Sequence, residues 1–241
     1  MRPIYKMSVF RVGLSRTLCR QENPLSLFGR KRITIKDVDV NLDGWQLSGQ
    51  NESIVQYDHA NGDVFSINFF DKQPDVGASL GDVTGIRNFY RSMLIPNKMG
   101  LLECDIHAID GTPSVYMLAK LMMEPRGFVF LASHTIPRRD CSFVLKYQAV
   151  ESGMTGIRES AVMAMLPTPE IDENTNRILG WCTDPYDDSL EYEVMCNKAD
   201  SRQYDKQFPD HPLSRTRKFM DELPNAVTMS ERLRKTPAFE L

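Results

Sequence analysis

This 241-residue chain predicts an α+β fold, an antiparallel β-meander sheet with helices packed on it. Two Asx-Gly pairs, Asn61-Gly62 and Asp110-Gly111, each sit between strand-like runs, and such pairs favour tight antiparallel hairpins. Four consecutive strand-like runs between residues 101 and 150 are joined by short polar connections, the pattern of a meander. The apolar period switches to that of a helix on either side of these four runs, which places helices against a sheet.

The elements follow in order. Ile33, Ile35, Val38 and Val40 alternate with polar residues, as in a half-buried strand. Asp43-Gly44 and Ser48-Gly49 predict turn and loop over residues 41–51, around Trp45 and Leu47. The first hairpin pairs residues 53–59 with 63–70 through a type I′ turn, with Phe65, Ile67 and Phe69 facing the core. A Gly/Pro/Asp loop covers 71–81. Ile86, Phe89, Tyr90, Met93 and Leu94 then form one stripe of a helix over 82–98, capped by Asp82 or Thr84 and closed by Pro96. The second hairpin joins 101–109 to 113–123, and strands over 128–136 and 141–150 follow, linked by Pro137-Arg138-Arg139-Asp140. Thr155 is the expected N-cap of a second helix with Glu159 in its first turn. Its buried stripe is expected to be Ile157, Ala161, Ala164 and Met165, with Pro167 and Pro169 as stops. Residues 184–212 are dense in Asp, Tyr and Pro, and a helix over 211–223 turns Leu213, Phe219, Met220 and Leu223 inward. The expected organisation is a basic tail over 1–30, a single domain over 31–224 and a C-terminal tail over 225–241.

The net charge of -3 hides an asymmetry. Residues 1–32 hold eight Lys/Arg against Glu22, and the remainder holds 21 bases against 31 acids. An acidic body argues against a nucleic-acid partner, because phosphate binding needs a concentrated basic face. The first 21 residues lack Asp and Glu and interleave cations with Ile4, Tyr5, Val9, Phe10, Val12 and Leu14. A mitochondrial presequence has this composition, as does a plain basic tail or an upstream start before Met7. No apolar run is long enough to span a bilayer. The expected location is the cytoplasm, or the mitochondrion if the basic stretch is a presequence. Cys19, Cys104, Cys141, Cys182 and Cys196 are scattered, without CxxC or zinc spacing, and read as reduced thiols.

Chemistry has few candidates. Cys182, Asp184, Asp187, Asp188 and Cys196 lie close in sequence and could be read as metal ligands, but without recognised ligand spacing. His134 and Cys141 could face each other across a hairpin as base and thiol. Both support a cysteine- or metal-dependent hydrolase as the alternative reading. Arg138 and Arg139, at a hairpin tip, could dock an acidic partner. No cofactor or catalytic residue is expected.

From residue 126 onward the element order, with Gly153-Met154-Thr155-Gly156-Ile157-Arg158-Glu159, Asp184-Pro185-Tyr186-Asp187, Tyr204-Asp205, Phe208-Pro209 and His211-Pro212-Leu213-Ser214, resembles a group of uncharacterised bacterial proteins with a PsbP/Mog1-like fold. The resemblance covers about residues 40–223. It implies a sheet flanked by helices, on a scaffold used by extrinsic photosystem subunits, a small-GTPase cofactor and secretion-effector chaperones. It transfers no catalytic residue. The function expected is a non-enzymatic interaction or accessory protein, chaperone- or adaptor-like, with another protein as partner. Tyr186, Tyr204 and Phe208 would be aromatic anchors, and Asp184, Asp205 and His211 would hold their loop by hydrogen bonds.

Overall fold

The computed structural model of the chain describes residues 32–241 apart from Pro169 and Asn176. The tail and presequence readings over 1–30, and Cys19, lie outside the described residues. Residues 33–241 form one unit, built on a seven-stranded sheet of order β2-β3-β4-β8-β7-β6-β5 in which every neighbouring pair is antiparallel. The strands are β2 (Trp45–Gln50), β3 (Ile54–His59), β4 (Val64–Phe70), β5 (Met99–Ile109), β6 (Thr112–Met122), β7 (Phe128–Pro137) and β8 (Ser142–Val150). The α+β meander therefore holds.

The two Asx-Gly corners differ in construction. At Asp110-Gly111 both residues have positive φ (46° and 73°), and Ile109 pairs directly with Thr112, so this is the two-residue turn of type I′ geometry. At Asn61-Gly62 only Gly62 has positive φ; the Gly62 N–H reaches the His59 carbonyl at 2.9 Å and the His59 N–H reaches the Asp63 carbonyl at 2.9 Å. That corner is a three-residue loop over 60–62, not a type I′ turn. The reversal is the same, because Gly62 absorbs the left-handed step.

Period-2 alternation divides the sheet residues between two faces. Phe65, Ile67, Tyr116, Leu118, Phe130, Ala132, Phe143, Leu145 and Tyr147 share one core with Leu213, Met220 and Leu223 of helix α3 (Pro212–Ala226). Leu101, Cys104, Val115 and Ala119 share the opposite one with Ile86, Tyr90 and Leu94 of helix α1 (Val83–Leu94). The α1 stripe is the one its spacing predicts, and the Asp82 carboxylate caps it by accepting the Gly85 N–H at 2.9 Å. Among the described residues no helix is long and apolar enough to cross a membrane.

Four local expectations are corrected. First, residues 45–50 form edge strand β2, not a loop. It pairs with β3 through a register shift between Leu47 and Gly49 and is almost wholly exposed, so it carries no alternating signal. Second, Ile35–Asp37 is a 3-10 turn, and only β1 (Val38–Val40) is extended; it pairs outside the main sheet with β13 (Val227–Met229). Third, residues 225–241 are not a tail. Met229 and Leu233 are buried, and Asp37 is held by Ser230 and Arg232 of the stretch that continues into helix α4 (Glu231–Arg234). Fourth, Arg138 is buried at its hairpin tip, because the C-terminal segment crosses it through an Arg138–Ala238 bridge. Its guanidinium donates to the Thr112 hydroxyl at 2.9 Å, and only Arg139 is exposed.

Helix α2 (Ile157–Met165) departs most from its periodicity. Gly156 precedes it in place of the expected Thr155 cap, and its buried residues are Arg158 and Val162. Ile157 and Met165 point outward, 50% and 58% exposed.

Candidate functional site

The sequence-named residues of the 184–214 segment are largely engaged by the fold. Asp184 is buried and accepts from the Arg91 guanidinium, the Tyr192 hydroxyl (2.7 Å) and the Tyr186 N–H (2.9 Å). Burial pushes its carboxyl up, but Arg91 and the other donors outweigh this and hold it below the usual range. The Tyr186 hydroxyl accepts the Cys104 N–H at 2.7 Å, and the Arg87 guanidinium lies 3.9 Å from the Tyr186 ring centroid. Since β5 is an edge strand, this contact covers part of its open backbone. Tyr204 and Phe208 are half-buried.

Arg158 joins this segment to α2. It is 1% exposed, and its guanidinium donates to the Ala199 carbonyl (2.7 Å), the Ser201 carbonyl (3.0 Å), the Ser214 hydroxyl (2.7 Å) and Asp205 (2.9 Å). Asp205 also pairs with Arg217 at 3.0 Å, and Arg217 continues to Glu103 at 2.7 Å, where Arg202 also docks. A planar fork with five N–H donors is what allows one buried side chain to serve four acceptors.

Where the starts of α2 and α3 meet, an open cleft of about 340 Å³ is lined by Glu151, Met154, Ile157, Phe208, Pro209 and His211 among others. At its back, Glu151, Glu159 and His211 bring their ligand-type atoms within 4.8 Å of one another. The Glu151 carboxylate accepts the Phe128 N–H at 2.8 Å and faces His211 Nε2 at 3.3 Å, while His211 Nδ1 accepts the Leu213 N–H at 3.2 Å. Burial raises the Glu151 pKa, but His211 and the Gly156 and Phe128 amides bring it net below the ordinary value. Glu159 goes the other way, raised first by burial and then by the Glu151 charge. Its Oε2 atom is buried without a hydrogen-bond partner among the described residues. Sequence reasoning placed His211 as a loop-holding residue and missed both glutamates. His211 lies 60 positions from Glu151, so no spacing rule connects them.

The groups of the hydrolase alternative are not assembled. His134 pairs with Leu145, while Cys141 lies before β8 with its carbonyl accepting the Arg138 N–H. Leu145 and Cys141 are four residue steps apart along the chain, roughly 13 Å at about 3.3 Å per residue. Burial lowers His134 to about 3 and raises Cys141 to about 11, so neither is tuned as base or thiolate. Beyond the two-residue strands β9 (Ile171–Asp172) and β10 (Arg177–Ile178), the short ladder of β11 (Cys182–Thr183) and β12 (Cys196–Asn197) pairs Cys182 with Asn197 and Thr183 with Cys196. The two thiols therefore point to opposite faces, and Asp184 is spent on Arg91.

No protein-family model matches this chain, and no curated protein matches it. Among solved structures, it is similar to a crystal structure from Bacteroides thetaiotaomicron VPI-5482, with a TM-score of 0.33 and 12% identity over 50% of this chain and 41% of that one. It is also similar to PA94 of Pseudomonas aeruginosa, a protein of unknown function, with a TM-score of 0.33 and 18% identity over 51% of this chain and 88% of that one. This chain thus spans under half of the Bacteroides chain, and neither likeness bears on function.

Proposed function

We propose that this chain is a non-catalytic accessory protein on a PsbP/Mog1-like scaffold, working in the cytoplasm and recognising another protein through the outer side of α2. The observation that carries this reading is the outward apolar set on and beside that helix. Met154 is 79% exposed, and Ile157, Met165, Ile171 and Leu179 are each at least half exposed. Exposed apolar residues gathered in one region mark an interaction surface more often than scattered ones do. Two clefts flank the helix, one holding Met154, Ile157 and Phe208, the other lined by Met163, Leu166, Pro167, Leu179 and Trp181. The acidic excess of the body, with Glu170 and Asp210 in the lining of these clefts, favours a partner segment that is apolar on one side and basic at its flanks. Such a surface does not suit nucleic acid.

The test is crosslinking capture with the full chain and with a Met154→Glu/Ile157→Glu variant that keeps the wild-type melting temperature. Loss of a partner whose crosslinked peptide is apolar with basic flanks supports the assignment. An unchanged partner set, or crosslinks that map away from α2, refutes it. Tyr186→Ala with Phe208→Ala separates the sequence-named anchors, since Tyr186 is committed to the β5 edge while Phe208 lines the cleft.

A further inference from the structure

We propose that Glu151, Glu159 and His211 form a binding site for a divalent first-row transition-metal ion, for which Zn²⁺ is the fitting probe. The site borders the cleft assigned to protein recognition, but it rests on different observations and goes beyond that reading.

Three observations converge. The donor set, two carboxylates and one imidazole, suits zinc and its neighbours better than calcium or magnesium, which favour all-oxygen shells. The size fits: ligand bonds of about 2.0–2.1 Å in a tetrahedron require ligand separations of about 3.3–3.4 Å. His211 Nε2 and Glu151 Oε1 already lie 3.3 Å apart, and the Glu159 donor is within 4.8 Å of both. Finally, Glu159 Oε2 is buried beside a second carboxylate and has no hydrogen-bond partner among the described residues. A buried, unpartnered oxygen next to another negative group is unfavourable, and a cation between the two relieves both problems. Glu151 and His211 side chains are 5% and 10% exposed, so two of the three ligands are held in place before any ion arrives. Glu151 and His211 also line the cleft, so water or an oxygen from a bound partner could reach an ion held by them.

Binding has a defined proton consequence. His211 uses Nδ1 as an acceptor for the Leu213 N–H, so its proton sits on Nε2, facing Glu151. A metal on Nε2 requires the ring's N–H to lie on Nδ1 instead. The Leu213 amide then loses its acceptor. A purely structural His211–Glu151 pair would show no such change.

The experiment titrates Zn²⁺ into chelator-treated full-length protein by calorimetry, with Co²⁺ absorption reporting ligand type and hydrogen exchange reporting the Leu213 amide. Cys182→Ser serves as the background, because that thiol is exposed. The expected result is one ion per chain, a Co²⁺ spectrum without a thiolate charge-transfer band, and faster exchange at Leu213. Losing an outer-shell partner alone weakens metal sites about 10–100-fold, so loss of a direct ligand in Glu159→Gln should weaken binding by about 100-fold or more. Glu159→Gln is nearly isosteric and leaves the His211 cap in place, so it separates metal binding from folding. Three results would overturn the site: no stoichiometric binding, unchanged affinity in Glu159→Gln, or binding that disappears with Cys182→Ser.

Discussion

Lowering the pH from 7 to 5 should remove about 2 kcal/mol of unfolding free energy through His134 alone. His134 is fully buried and packs in tilted contact with Tyr116 and His107 at ring-centroid separations of 5.1 and 5.6 Å. Its Nδ1 contacts the Ser114 hydroxyl at 3.1 Å, while Nε2 makes no hydrogen bond among the described residues. Burial is the main cause that lowers its pKa from 6.5 to about 3, and His107 adds to it; the Met220 backbone acts in the opposite direction. As pH falls below 6.5 the unfolded chain takes up this proton and the folded chain does not, so the unfolded state binds more protons and stability rises with pH in this window. The penalty is about 0.2 kcal/mol at pH 7 and about 2 kcal/mol at pH 5, with a ceiling of about 5 kcal/mol approached only below pH 3. The depressed carboxylates Asp63, Asp184 and Glu103 have the same sign, but their stabilisation is lost only as pH falls through their still lower folded values. The raised Glu159 carboxyl contributes with the opposite sign as pH falls, and because it is common to wild type and a His134 variant, the difference between those two proteins from pH 7 to 5 isolates His134. Urea unfolding followed by tryptophan fluorescence at pH 7, 6 and 5 measures the effect. His134→Leu removes the titrating group, and the Ser114 hydroxyl keeps its bond to the His107 carbonyl at 3.2 Å. Between pH 7 and 5 this variant should lose about 2 kcal/mol less than wild type. Parallel slopes for the two proteins would show that His134 protonates in the folded state, and the burial argument would fail.

Arg158→Lys should destabilise by about 3 kcal/mol, because one ammonium cannot reach the four acceptors that the fork serves. An unchanged melting temperature would contradict that geometry. Asp184→Asn leaves the Arg91 guanidinium buried without its counter-charge and should cost about 3–5 kcal/mol by denaturant titration. A loss below 1 kcal/mol would mean that solvent reaches the pair. Asp110→Ala puts alanine at a φ of 46° and removes the acceptor of the Met229 N–H at 2.8 Å, an expected loss of about 1–2 kcal/mol. Melting curves at matched pH check it, and a neutral effect would count against the hairpin–C-terminus link.

What could be read from the chain alone follows from how local each signal is. The α1 stripe, the α3 stripe and four meander strands emerge because each carries an apolar row whose period is set by its own backbone, although Arg91, Lys120, His134 and Arg217 are buried alongside. Strand β2 escaped because an exposed edge strand has no buried face to pattern. Helix α2 was turned the wrong way round because apolar spacing cannot anticipate a buried arginine. Arg158 takes the inner face since residues 199–214 bring it four acceptors, and Ile157 and Met165 are left outside.

The same division applies to the candidate site. Tyr186, Asp184 and Asp205 stand out in sequence as a polar, aromatic segment, but which of their groups remain free depends on β5, Arg91 and Arg158. Glu151, Glu159 and His211 carry no joint sequence signature, because three separate elements converge to place them together.

By itself, the order of amino acids determined the antiparallel class, the hairpin corners and the main helices, since these rest on backbone sterics and short-range burial. Only the tertiary structure decided which charged side chains are buried, which apolar ones stay exposed, and where an unpartnered carboxylate meets a histidine. Those outcomes depend on desolvation and pairing between residues far apart in sequence, 47 positions for Arg158 and Asp205 and 60 for Glu151 and His211, and chain-local periodicity holds no record of them.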